Sequence, residues 1–117
     1  MQDSTANYAT YLCLGDGSAP GTCALNDILP VGSKTMGSSK YGQLDLAGSM
    51  AEWVLDWYAN YPTTCDNCAN ISGASGYRVI KGGSWKNDAS NLTAIYRNSY
   101  SSDYRGTMIG FRCARAL

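Results

Sequence analysis

Histidine is absent from this 117-residue chain. Its absence excludes a Cys/His zinc site, a Ser-His-Asp triad and an imidazole-ligated iron centre. Phenylalanine occurs once, against nine tyrosines and three tryptophans. Most rings here therefore carry a polar tip, which suits half-buried sheets and binding surfaces. Net charge is missing too: nine basic and nine acidic residues cancel. No bulk field favours nucleic acid or an anionic membrane, so neither is expected as a partner. Apolar residues make up 44% of the chain, yet no run approaches the ~18 residues that would span a bilayer. The opening Met1-Gln2-Asp3-Ser4-Thr5 is polar and lacks the apolar stretch of a signal peptide. Either the mature chain starts here or a leader and more were cut away. The length predicts one domain, residues 1–117, burying about 65% of its unfolded surface.

Five cysteines are present: Cys13, Cys23, Cys65, Cys68 and Cys113. Cys65-Asp66-Asn67-Cys68 has a C-x-x-C spacing, which can mean zinc, redox chemistry or a tight disulfide. Zinc needs two more thiolates, and Cys13 and Cys23 are not closely paired. A redox motif normally opens a helix, whereas this one sits among Pro62, Thr63, Thr64 and Asn70. Structural disulfides are the favoured reading, and they imply an oxidising compartment, secreted or at a cell surface. Spacing does not fix the connectivity. One of the five thiols stays free or pairs elsewhere.

Residues 1–40 read as a loop-rich N-terminal segment ahead of a motif-bearing core at 41–117. Gly15-Asp16-Gly17-Ser18 and Pro20-Gly21 are turn signals. Cys13 and Cys23 bracket them, and a local staple between the two fits. From Met50 to Trp57 the chain alternates, with Trp53, Leu55 and Trp57 on one face and Glu52, Val54 and Asp56 on the other. Such alternation with large rings predicts a strand. Glu52, inside this apolar block, is costly to bury unpaired and needs a cation or several donors. Tyr77–Lys81 reads as a short strand ended by Gly82-Gly83. One helical turn is expected over Asp88–Leu92, with Asn87 or Asp88 as its cap. Ala94–Arg97 and Ile109–Ala114 are expected as the last two strands.

Three segments then combine: Tyr41-Gly42-Gln43-Leu44-Asp45-Leu46-Ala47-Gly48-Ser49-Met50-Ala51-Glu52-Trp53, Arg78 through Trp85, and Gly110-Phe111-Arg112-Cys113. In this order they resemble the formylglycine-generating-enzyme (sulfatase-modifying factor) family. The resemblance implies an α+β, irregular C-type-lectin-like fold with short twisted β-strands, long loops and little helix. The family domain is usually about twice as long, and its N-terminal half has no counterpart here. The resemblance also implies a structural calcium, held by Asp45, Gly48 and Met50 through carbonyls and by Glu52 through its side chain; oxygen donors of this kind suit Ca²⁺. Family enzymes bind copper through two cysteines shortly after the Gly-Gly-Ser-aromatic motif, since soft thiolates select Cu(I). Here Lys86 to Asn91 follow that motif without a cysteine, so no copper is expected. Ser84 alone survives from the enzyme pocket. Cys113 matches a family disulfide cysteine whose usual partner lies in the missing half.

The C-terminal third also resembles the variable proteins of diversity-generating retroelements, in which a lectin-like scaffold displays positions rewritten by adenine-directed mutation. Mutated Asn codons yield mainly Asn, Ser, Asp, Tyr, Thr, Gly and Ile. The run Asn98-Ser99-Tyr100-Ser101-Ser102-Asp103-Tyr104 and Gly106-Thr107 has that composition. It is also the composition of a paratope, where Tyr anchors and Ser, Asn and Gly adapt. An ordinary solvated loop between two strands reads the same way. The expected ligand-contacting residues are Trp85, Lys86, Asn87, Asp88, Asn91, Asn98, Tyr100, Ser101, Asp103, Tyr104 and Thr107. They would meet a protein or cell-surface ligand, without catalysis. Two other readings stay open: a fragment or degenerate member of the oxidase family, and a structural subunit completed by another chain. In the display reading, Gly82-Gly83-Ser84-Trp85 and Gly110-Phe111-Arg112 are expected to be intolerant scaffold.

Overall fold

The computed structural model describes residues 7–17, 22–66, 68–72 and 75–114. Four strands form one sheet: β1 Ala51–Trp57, β2 Tyr77–Lys81, β3 Asn98–Ser101 and β4 Ile109–Gly110, in the order β3-β2-β1-β4. β1 pairs antiparallel with β2, β2 antiparallel with β3, and β1 parallel with β4. The remaining regular structure is short 3₁₀ turns, at Leu25–Asp27, Thr35–Gly37 and Ala89–Leu92. No α-helix occurs among the described residues, so the fold is mostly strand and loop, and the α part of the expected α+β class is not seen there.

The strand predicted from Met50 to Trp57 forms as Ala51–Trp57. Trp53 and Leu55 line one open groove together with Phe111, although Val54, expected on the opposite face, borders the same groove. The register then shifts between Trp53 and Trp57. Such a shift re-aims side chains, and Trp57 lines a cavity on the other side with Val54 and Asp56.

Two expected strands differ from the observed ones. The strand placed at Ala94–Arg97 lies instead at Asn98–Ser101, where Ile80, Val79, Arg78 and Tyr77 pair with Asn98, Ser99, Tyr100 and Ser101. Backbone pairing with β2 decides this edge, and Ile95, the most apolar residue of the expected strand, is 86% exposed. The last strand stops at Gly110 rather than Ala114. Phe111 is 78% exposed, so its ring contributes little to the scaffold in this chain.

The core includes a segment that composition does not mark. Ala9, Tyr11 and Cys13 are all buried. Their backbone threads between the glycine motifs: Thr10 bridges Gly48 in parallel, and Ser49 N–H donates to the Thr10 carbonyl at 2.7 Å. Leu12 N–H donates to the Asn87 carbonyl and Cys13 N–H to the Trp85 carbonyl, each at 2.8 Å. Residues 9–13 thus enter the core as loop, with one isolated bridge at Thr10. Beyond them, the Cys13–Cys23 disulfide is formed, the local staple that the bracketed turns suggested. Asp27, fully buried, accepts the Ala24 N–H at 2.9 Å and the Asp16 N–H at 3.3 Å. A buried carboxylate holding two backbone donors fixes a loop that has no sheet to do so.

Candidate functional site

The Gly82-Gly83-Ser84-Trp85 motif turns the chain out of β2 and under the C-terminal loop. Gly83 has φ +67, and a Cβ there would stand 2.7 Å from Leu92 Cδ2 and 3.0 Å from the Asn91 carbonyl oxygen. Only glycine fits both the left-handed backbone and that approach. Ser84 is buried; its N–H and its hydroxyl both donate to Asn87 Oδ1 at 2.8 Å. The residue that the family resemblance assigned to an enzyme pocket here braces a turn. Trp85 is 1% exposed, and its indole Nε1–H donates to the Thr107 carbonyl at 2.9 Å. It ties the loop after β2 to the loop after β3.

The expected contact residues therefore divide. Trp85 supports the surface from below and is not part of it. Asn87 is half-buried, with its amide oxygen committed to Ser84. Lys86, Asp88, Asn98, Ser101, Asp103 and Thr107 are exposed, and Asn91 is half-exposed. Asn87, Asn98 and Tyr100 line one small cavity of about 30 Å³, which places the two loops side by side. A tight turn after β3, closed by Tyr104 N–H to the Ser101 carbonyl at 2.9 Å, folds the chain back. The Tyr104 ring then stacks on Tyr100, with centroids 4.6 Å apart and planes 22° apart. An offset pair of this kind is worth about 0.5–1.5 kcal/mol beyond burial. The two tyrosines thus form one rigid plate amid small polar groups.

Both loop aspartates are tuned by local donors. The Ser90 hydroxyl, at 2.5 Å, and then the Ser90 N–H, at 2.9 Å, hold the Asp88 carboxyl below the usual aspartate range. The Ser101 hydroxyl and then the Asp103 N–H do the same for Asp103. Depressed carboxylate pKa values contribute stability that is present above the unfolded value and lost as pH falls through the folded one. Carboxyl-detected NMR titration should therefore give midpoints for Asp88 and Asp103 below that of an unstructured aspartate. Ser90→Ala should return Asp88 towards it. Asp88 also caps the 3₁₀ turn Ala89–Leu92, as the sequence suggested.

Glu52 has its cation, and it comes from within the chain. Arg112 Nε donates to the two carboxylate oxygens at 3.0 and 3.1 Å, and Arg112 Nη2 donates to Oε1 at 2.7 Å. The same Nη2 reaches the Leu44 carbonyl at 2.9 Å and the Asp45 carbonyl at 3.2 Å. The pairing raises the Arg112 pKa above its ordinary value. Of the four residues expected to hold calcium, Asp45 and Glu52 thus converge on a guanidinium. The Asp45 carboxylate is engaged elsewhere, by the Gly32 N–H at 2.6 Å. Met50 lines the same open cleft as Asp45 and Glu52. Gly48 is buried, its N–H donating to the Gly82 carbonyl at 2.8 Å. Arg112, which sequence reasoning had only as scaffold, lies sixty positions from Glu52, and only the need of Glu52 for a cation pointed towards it.

Cys65 and Cys68 are bonded to each other, so their sulfurs are not a zinc half-site. Cys113 is a free, exposed thiol. Two disulfides indicate an oxidising environment. No helix among the described residues is long and apolar enough to cross a membrane.

Residues 9–117 match the sulfatase-modifying factor enzyme 1-like domain. The chain belongs to that family. Among similar proteins is the serine/threonine-protein kinase pkn1 of Chlamydia pneumoniae, 35% identical over 81 residues, or 66% of this chain and 13% of that one. The pkn1 of Chlamydia caviae is 33% identical over 84 residues, 68% of this chain and 14% of the other. The match thus spans about one-eighth of those kinases. Among solved structures, Treponema denticola variable protein 1 superposes with a TM-score of 0.68 at 29% identity, over 95% of this chain and 37% of its own. A small, curled, mostly-strand sheet with this family and this neighbour fits the C-type-lectin-like class.

Proposed function

We propose that this sulfatase-modifying-factor-like domain is a non-catalytic display module that binds a protein or cell-surface ligand. The contact surface is the Tyr100–Tyr104 plate with Lys86, Asp88, Asn91, Asn98, Ser101, Asp103 and Thr107 around it. The observation that carries the reading is the division of labour at Trp85. One buried indole pins both loops, while Lys86, Asp88, Asn98, Ser101, Asp103 and Thr107 above it are exposed and Asn91, Tyr100 and Tyr104 are partly so. A surface built this way can change its sequence without changing its fold. The likeness to a variable protein supports retroelement diversification of these positions.

The test is to randomise Lys86, Asp88, Asn98, Ser101 and Asp103 together, display the library on yeast, and select against hen lysozyme as an arbitrary protein target. Most variants should fold, and binders should arise from this surface. General loss of folding would overturn the reading. Incubation with copper(I) and a cysteine-containing sulfatase peptide tests the oxidase alternative. Aldehyde formation would establish that alternative, and its absence is expected.

For the cation site we propose that Arg112 supplies the charge that calcium would otherwise bring to Asp45, Gly48, Met50 and Glu52. Arg112 uses the Glu52 carboxylate and the Asp45 carbonyl together, so calcium would compete with it for these oxygens. A chelator should leave the melting temperature of the wild-type chain unchanged. Arg112→Ala should lower it, and added calcium should recover part of that loss. A chelator-induced fall in the wild type would restore the calcium assignment.

One observation favours a second reading, completion by further polypeptide. Phe111 and Leu55, 78% and 64% exposed, line one open groove of about 650 Å³ with Trp53. Exposed apolar patches of this kind mark contact sites. Light scattering on wild type and on Phe111→Ser separates the readings: association lost in the variant supports completion, and a monomer in both supports the lone module.

A further inference from the structure

Beside the display surface, on the far side of Lys81, lies a cavity of about 140 Å³ between β1 and the loop that follows it. Its polar lining is Asp56, Asn60, Asn70, Lys81 and Arg97, and Val54, Val79 and Pro62 form apolar wall. Arg97 is held in an unusual way. Its guanidinium carbon stands 3.9 Å from the centroid of the Tyr61 ring and 4.9 Å from that of Tyr58. It makes no hydrogen bond or ion pair to any other described residue. Two rings therefore orient this cation, and its N–H edge is left without an acceptor among the described residues.

A guanidinium gripped by aromatic faces is pre-organised for one thing. Stacking uses the π-face and leaves the in-plane N–H fork intact. That fork matches the two oxygens of a carboxylate, a charge-assisted pair about twice as strong as a neutral hydrogen bond. The other groups narrow the choice of anion. Lys81 adds a second positive charge and, among the described residues, spends one donor, on the Ala94 carbonyl at 2.7 Å. Asp56 is anionic and fixed at the wall, accepting the Asn70 N–H at 2.9 Å. Two cations against one carboxylate leave a single net positive charge, which suits a monoanion. A phosphate dianion would face Asp56 with twice the charge. The valines and Pro62 offer contact to a short apolar stem.

We propose that this cavity is a second binding site, taking a monoanionic carboxylate on a small apolar or aromatic stem, with Arg97 as the bidentate partner and Lys81 as the supporting charge. The site is distinct from the display surface, and its failure would leave that reading untouched. Such a carboxylate could come from a free small molecule or from the C-terminus of a peptide, and the experiment separates the two.

The probes are phenylacetate, a pentapeptide ending in phenylalanine with a free carboxyl, the same peptide amidated, and inorganic phosphate. Binding to the whole chain is followed by NMR through the Arg97 Nε–H and Trp57 indole N–H signals. Saturable shifts with phenylacetate, and weaker or none with phosphate, are expected. If the free-acid peptide also shifts the Arg97 signal and the amide does not, the natural source is a chain terminus. If only phenylacetate does, the source is a small acid. Arg97→Lys keeps the charge but loses the fork and should weaken binding about tenfold or more. Arg97→Met should abolish it, with the melting temperature showing that each variant folds. No saturable shift at Arg97 with either carboxylate probe, or equal affinity in Arg97→Lys, would overturn the proposal. Phosphate binding as tightly as phenylacetate would overturn the carboxylate assignment.

Discussion

Trp85→Ala is expected to cost about 3–5 kcal/mol, the range for truncating a fully buried ring. Against a total of about 5–15 kcal/mol for an ordinary domain, that leaves a protein close to its folding limit. The position explains the size. Trp85 is 1% exposed, and its backbone joins two further segments: its N–H donates to the Ser49 carbonyl and its own carbonyl accepts the Cys13 N–H, each at 2.8 Å. The indole adds the bond to Thr107 at 2.9 Å. Three stretches distant in sequence meet at this residue. Trp85→Phe separates the effects, since it keeps most of the ring and removes the indole donor. It should cost roughly 1–3 kcal/mol, mostly from the Thr107 carbonyl left without its donor. Urea unfolding of both variants gives the two numbers. The Phe variant should also loosen residues 105–108 in hydrogen exchange while leaving β2 protected. An alanine variant destabilised by under 1 kcal/mol would place Trp85 outside the core.

The features legible in the sequence were those encoded within a few residues. Tyr77–Lys81 is the short strand expected ahead of Gly82-Gly83, and the Trp53/Trp57 alternation located β1. The Asp88 cap needs only Ser90 and is a local signal. The staple from Cys13 to Cys23 closes a short loop. What escaped were partners set by distant chain. Asn98–Ser101 carries no strong strand propensity and becomes a strand because β2 offers it a ladder. Ala9, Tyr11 and Cys13 do alternate, but among turn signals their period of two is too short to stand out. Asp27, buried under its own loop, resembles any loop aspartate until the N–H groups it accepts are seen. In the candidate site the chemistry of each side chain was readable, but its depth was not. Trp85 and Tyr100 are both aromatic residues near polar loops, and only packing makes one a support and the other part of the surface. Ser49 sits at φ +60, a backbone that Asn tolerates better than Ser.

Gly48→Ala should be almost as damaging as the loss of Trp85, and for a backbone reason. Gly48 has φ +74, where a side chain adds about 1–2 kcal/mol of strain. That term alone is modest. The larger one is spatial: a Cβ at Gly48 would collide with the Thr10 carbonyl oxygen and stand 3.1 Å from the Thr10 backbone N and C. Thr10 cannot yield cheaply, because that carbonyl accepts the Ser49 N–H at 2.7 Å. Moving the segment would break this bond and disturb the neighbouring ones from Leu12 and Cys13, at about 1 kcal/mol each. A total of about 3 kcal/mol or more follows. Gly42→Ala is the matched control. Gly42 has φ +82, yet nothing lies within 4 Å of a Cβ there, so it carries only the conformational term. The difference between the two variants in urea unfolding isolates the contact with Thr10. The display reading depends on that contact, because residues 10–13 are what hold the Asn87 and Trp85 carbonyls in place beneath the loops. If Gly48→Ala cost no more than Gly42→Ala, the N-terminal segment would not be braced against the glycine turn. The surface above it would then have lost half of its support.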